Sequence, residues 1–237
     1  MAFLDRYAAD RSRPSVRQAG TDLARRALLP AAGLWAVIVV IGLLIVGPGR
    51  SLPRELAINR ALESARTPAW DAVTALFTNV ASTEFVIAVA LIVAALLWFR
   101  TKQWWLTIVP LIAVTVQTAV FITSAAIVAR DRPEVDRLDD APPTSSFPSG
   151  HAGASAALYL SLAVLAQRIQ QPVLRWVTTS ACLVVPVFVG FSRLYRGMHN
   201  LSDVVVGLAN GLICAWLAWH YLRRESQTRP NRARANE

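Results

Sequence analysis

The stretch ALLPAAGLWAVIVVIGLLIV, residues 27–46, carries no charged side chain in 20 positions. As a helix it rises about 30 Å, the thickness of a bilayer's hydrocarbon core. Arg25 and Arg26 precede it, as in a secretion signal. The run is too long for one, however, and no small-residue cleavage site follows, so it reads as a retained anchor. Comparable runs cover Phe85 to Phe99, Gln103 to Ala129, Ala152 to Ala166, Trp176 to Ser192 and Val204 to Leu222. Six apolar runs predict an all-α membrane bundle of six transmembrane helices.

Composition agrees: 54% of the 237 residues are hydrophobic and 16% charged, against roughly 25% charged in an average soluble domain. The net charge of +9 sits largely in the ends, at Arg6, Arg11, Arg13, Arg17, Arg25 and Arg26, then Arg223, Arg224, Arg229, Arg232 and Arg234. Basic ends beside apolar spans follow the positive-inside bias, and no nucleic-acid motif accompanies them. The expected organisation is a basic cytoplasmic tail over 1–26, a six-span domain over 27–222 and a basic, disordered tail over 223–237. An even number of spans places both termini on the cytoplasmic side. The loops 47–84, 130–151 and 193–203 then face outward, and their arginines require a local reason.

Between the first two spans, residues 51–70 read as a surface-lying amphipathic segment with a helix start at Ser51, Pro53 and Glu55. The mostly apolar stretch from Ala72 is expected to extend the second span. Pro110 and Pro186 fall inside spans as kinks, and Gly207 and Gly211 form a small-xxx-small pair for close packing within the bundle. Cys182 and Cys214 both lie in spans, which argues against a disulfide.

Two of the three histidines, His151 and His199, lie at the arginine-bearing outer loops, and ionisable groups at a membrane boundary are costly unless they form a site. In RDRPEVD, residues 130–136, Arg132 offers a planar fork to a phosphate. In SSFPSGHAGAS, residues 145–155, Pro148, Ser149 and Gly150 form a tight turn into a helix whose free N–H groups suit an anion. His151 is placed there to give a proton to a departing oxygen. In SRLYRGMHNLSD, residues 192–203, His199 and Asp203 stand four apart, so the carboxylate is expected to accept a hydrogen bond from the ring and leave its other nitrogen as a nucleophile. Arg193 reaches over the same point. The acidic residues Asp131, Glu134, Asp136, Asp139 and Asp140 are spaced irregularly and read as a solvated loop rather than a metal site.

These three elements resemble the signature of the type 2 phosphatidic acid phosphatase superfamily, whose relatives include lipid phosphate phosphatases, prenyl diphosphate phosphatases and soluble vanadium haloperoxidases. The second motif, proline-serine-glycine-histidine, and the third, from Ser192–Arg193 to His199 and Asp203, are complete. The first departs from the pattern, with Ala125 where the family carries a lysine seven residues before the arginine. Arg130 is expected to share that missing charge. The resemblance implies His199 as nucleophile, Asp203 as its orienter and His151 as general acid. Phosphate would be bound by Arg132, Arg193, Arg130 and the backbone at Ser149 and Gly150, with no metal and no cofactor. The implied function is a lipid phosphatase acting on a membrane phosphomonoester or diphosphate lipid through a phosphohistidine. A phosphotransferase using the same intermediate and an anion transporter are the alternatives. The spans exclude the soluble haloperoxidase branch, and the oligomeric state stays open.

Overall fold

The structure is a computed structural model that describes residues 14–47, 52–141 and 144–222. All its regular elements are helical. The arginines at 6, 11, 13, 50 and from 223 onward, Ser51 and the C-terminal tail lie outside these residues.

The first span is a continuous helix over Val16–Val46, comprising α1 (Val16–Leu23), a π-helical turn (Ala24–Leu28) and α2 (Leu29–Val46). It thus begins 11 residues before the apolar run. Ser15 caps its start by accepting from the Gln18 N–H at 3.2 Å. The segment between the first two spans forms two helices, α3 (Pro53–Ser64) and α4 (Pro68–Asn79), each opened by a proline whose missing N–H costs nothing in a first turn. The expected extension of the second span from Ala72 is not found. Helix α4 ends at Asn79, and Ser82 caps a new helix, α5 (Thr83–Thr101), through the Phe85 N–H.

The third span comprises a short turn, α6 (Trp104–Thr107), and α7 (Val109–Val128). Pro110 sits in the first turn of α7, where it is tolerated, directly after the interruption at Ile108 that separates α6 from α7. Ala129 closes α7 in the left-handed conformation. The remaining spans are α8 (Gly150–Ala166), α9 (Pro172–Tyr195) with Pro186 inside it, and α10 (Leu201–Trp219). Five of these segments are long and apolar enough to cross a bilayer; α8, with 17 residues, is shorter but apolar.

Helix α8 is central and packs on α7, α9 and α10. Lipid is as apolar as the helix surfaces, so association rests on close packing more than on burial from water. The two glycines of α10 provide it: a Cβ at Gly207 would stand 2.5 Å from the Ser149 carbonyl oxygen, and one at Gly211 2.3 Å from that of Gly153. Gly211→Ala is therefore expected to force α8 and α10 apart at a cost of about 1 to 3 kcal/mol, read as a lower melting temperature in detergent. An unchanged melt would mean that the contact yields freely. Cys182 and Cys214 are buried and unpaired.

Candidate active site

Three loops and helix starts meet at one end of the bundle around a cavity of about 550 Å³. Its walls include Arg132, His151, Arg193 and His199, with Gly150 at the start of α8. Four of the expected site residues thus share one space with that helix start.

His199 lies in the turn between α9 and α10. Gly197 makes that turn, with φ +71° and no room for a Cβ, which would stand 2.6 Å from the Asp136 carbonyl oxygen. The His199 Nδ1 lies 2.7 Å from the Ser146 carbonyl oxygen. A carbonyl can only accept, so Nδ1 carries the proton and Nε2, on the opposite edge of the ring, keeps its lone pair. Burial first, then the charges of Arg193 and Arg132, holds the ring well below the usual histidine range. The imidazole is therefore neutral at physiological pH.

The expected hydrogen bond from the His199 ring to Asp203 is not made, because Nδ1 and Oδ2 are 3.9 Å apart. Asp203, fully buried, is occupied elsewhere: it accepts from the Ser146 hydroxyl, from Arg130 and, at 2.8 Å, from the Asn200 N–H in a capping box. Its link to His199 passes through Ser146, whose hydroxyl meets Asp203 and whose carbonyl meets His199. Ser146 was not singled out from the sequence, since a serine in a polar loop has no spacing signal of its own.

The cations divide into two groups. Arg132 donates to the Met198 carbonyl at 2.8 Å, and Arg193 donates to Asp139 at 2.8 Å and to Thr78 at 3.3 Å, while the buried Arg193 Nε has no partner among the described residues. Both line the cavity. Arg130 does not: it donates to Glu55 at 2.7 Å, to the Ser202 hydroxyl at 2.7 Å and to Asp203. The expected substitution of Arg130 for the family lysine therefore fails in this geometry, because two carboxylates already hold its guanidinium. The helix that would align Ala125 with Arg132 also ends at Val128.

Ser149 differs from expectation too. It is fully buried, its N–H donates to the Asp203 carbonyl at 2.9 Å and its hydroxyl caps α8, so Gly150 is the part of that turn that faces the cavity. Asp139 is not a solvated charge. It bridges Arg193 and Arg196, and although burial would raise its pKa, the bonds from Arg196 and the charge of Arg193 hold it below the usual carboxylate range. Arg196, missed in the sequence, also reaches the carbonyls of Leu138 and Asp71. These pairs give Arg130, Arg193 and Arg196 their local reason.

The PAP2 superfamily model matches residues 108–227, half of the chain and all three motifs. The chain belongs to the PAP2 superfamily. PAP2 phosphatases are phosphoric ester hydrolases that act without a metal ion, and this chain is a multi-pass membrane member of that class. Phosphatidylglycerophosphatase B of Bacillus subtilis (strain 168) is 28% identical over 170 residues, covering 68% of this chain and 79% of that protein. The crystal structure of a transmembrane PAP2 type phosphatidylglycerolphosphate phosphatase from Bacillus subtilis superposes with a TM-score of 0.72 at 23% identity, over 84% of this chain and 98% of that one. Aquifex aeolicus LpxE gives 0.55 at 21% identity, over 69% and 93%. These two likenesses establish the PAP2 membrane fold.

Proposed function

We propose that this chain is a membrane lipid phosphatase that hydrolyses a phosphomonoester or diphosphate lipid through a phosphohistidine on His199. The observation that carries the reading is the shared cavity: a neutral histidine with a free Nε2 faces the same space as two arginines, a helix start and a second histidine. In the first step Nε2 attacks phosphorus, the P–O bond to the lipid breaks, and His151 gives its proton to the leaving oxygen. No hydrogen bond ties the His151 ring among the described residues, which leaves it free for that oxygen. In the second step water, deprotonated by His151, attacks phosphorus, the P–N bond breaks, and inorganic phosphate leaves. Arg132, Arg193 and the first-turn N–H groups of α8 face the equatorial oxygens, where phosphoryl transfer needs positive charge.

An amphiphilic substrate suits the walls. Beyond the charged end the cavity is lined by Phe121, Ile122 and Ala154, and Ile122 is also 56% exposed on the outer surface of the bundle. The site therefore communicates with the surface that lipid covers. Phosphatidic acid, phosphatidylglycerophosphate and prenyl diphosphates are the candidate substrates; the second is the class named for the Bacillus subtilis relatives. Purified protein should release inorganic phosphate from at least one of them and leave water-soluble sugar phosphates nearly untouched. Phosphate release from none of the lipids would reject the function, and transfer of label to a lipid or sugar acceptor instead of water would make the chain a phosphotransferase.

The basic termini support a site on the extracytoplasmic side. Labelling of intact cells tests this orientation: a cysteine at Leu138 should react with an impermeant reagent and one at Gln170 should not, and the reverse pattern would invert the topology.

A further inference from the structure

Glu55 lies on α3, outside the residues that match the superfamily, and it is 9% exposed. Its two oxygens serve different partners: Oε2 accepts from Arg130 at 2.7 Å and Oε1 accepts from the Ser202 N–H at 2.6 Å, in the first turn of α10. Arg130 in turn meets Asp203, Asp203 meets the Ser146 hydroxyl, and the Ser146 carbonyl holds the His199 ring. Burial works against the Glu55 charge, but the bonds from Arg130 and Ser202 more than compensate, and its pKa falls below the usual carboxylate value.

We propose that Glu55 is a positioning residue of the catalytic centre, setting the charge that His199 experiences by sharing Arg130 with Asp203. The chain of groups runs carboxylate, guanidinium, carboxylate, so one guanidinium stands between two negative charges. Without Glu55, Arg130 would be matched by Asp203 alone, and the pair beside the histidine would be neutral. With Glu55 the cluster carries one net negative charge. That charge matters when Nε2 bonds to phosphorus, because the ring still holds its Nδ1 proton and becomes cationic. The negative cluster stabilises that cation relative to the neutral ring. Glu55 touches no substrate and acts only through Arg130, Asp203 and the start of α10.

The inference rests on His199 being the nucleophile, and its test separates the two readings. In Glu55→Gln the volume and one acceptor remain while the charge is lost. The kcat is expected to fall about tenfold with KM within about twofold, since the loss falls on the transition state and not on substrate binding. The acid limb of the kcat/KM profile should also move to lower pH, because a lost negative charge disfavours the protonated ring and lowers its pKa. Substrate ionisation is common to both enzymes, so the difference between their profiles belongs to the protein. Glu55→Asp, which keeps the charge, should return the limb toward its wild-type position. Glu55→Met carries the same test if the glutamine variant does not accumulate. A purely structural Glu55 would lower the melting temperature and scale the rate equally at every pH. Superimposable limbs for wild type and the charge-removed variant would overturn the proposal. A wild-type protein that releases no phosphate from any lipid phosphate defeats the phosphatase reading itself.

Discussion

His199→Ala is expected to leave less than about a thousandth of the wild-type rate of phosphate release, because binding groups alone supply only a residual ~10³ to 10⁴ acceleration in other enzymes that lose their nucleophile. The cavity explains why the loss should be near complete. His199 is the histidine with a fixed tautomer, its Nδ1 proton committed to the Ser146 carbonyl at 2.7 Å, and removing it leaves the arginines to bind a phosphate that nothing attacks. His151 is differently placed, lining the same cavity without a hydrogen bond to fix its ring. His151→Ala should accordingly still form the phosphoenzyme from substrates with good leaving groups, trapped by acid quench with labelled phosphate, while natural lipids turn over slowly. Detectable steady-state hydrolysis by His199→Ala above that threshold, with the protein folded, would sink the covalent route.

Arg130→Ala should be costly for a different reason. The guanidinium joins two buried carboxylates, Glu55 and the fully buried Asp203. Removing one partner of a buried pair leaves uncompensated charge, at about 3 to 5 kcal/mol. The expected results are a large fall in melting temperature and a loss of kcat, with KM for the remaining folded enzyme little changed. Ala125→Lys should not rescue it, since Arg130 does not line the cavity and the helix carrying residue 125 ends before Arg132. A near-wild-type melt with a raised KM would instead return Arg130 to the phosphate pocket.

Much of this architecture is legible in the sequence because hydrocarbon leaves few alternatives. An apolar run must be helical where water cannot satisfy its backbone, and the six runs all recur as helices. The boundaries were less visible. Val16–Leu23 is polar enough to resemble a tail, and the break between Asn79 and Thr83 rests on the Ser82 cap, not on hydropathy. In the site, histidines and arginines are readable because such groups are rare at membrane depth. Which carboxylate holds which arginine is not. Asp139 and Asp140 are neighbours of similar appearance, yet Asp139 forms the bridge to Arg193 and Arg196. The link through Ser146 depends on a carbonyl, which every residue possesses and no sequence pattern marks.

The bonds that bind α3 and the turn after it to the segment around His199 have a consequence for biogenesis. Glu55 meets Ser202 across 147 positions of chain, Asn59 meets Asn200 across 141, and Arg66 meets the Tyr195 carbonyl across 129. Closing loops of that length carries an entropic cost that only late contacts repay. During synthesis α3 emerges long before the start of α10, so Glu55 lacks its bond from Ser202 and Asn59 its bond to Asn200 until that last helix is made. A chain halted before its last span therefore holds inserted helices without the bonds that tie α3 to the start of α10.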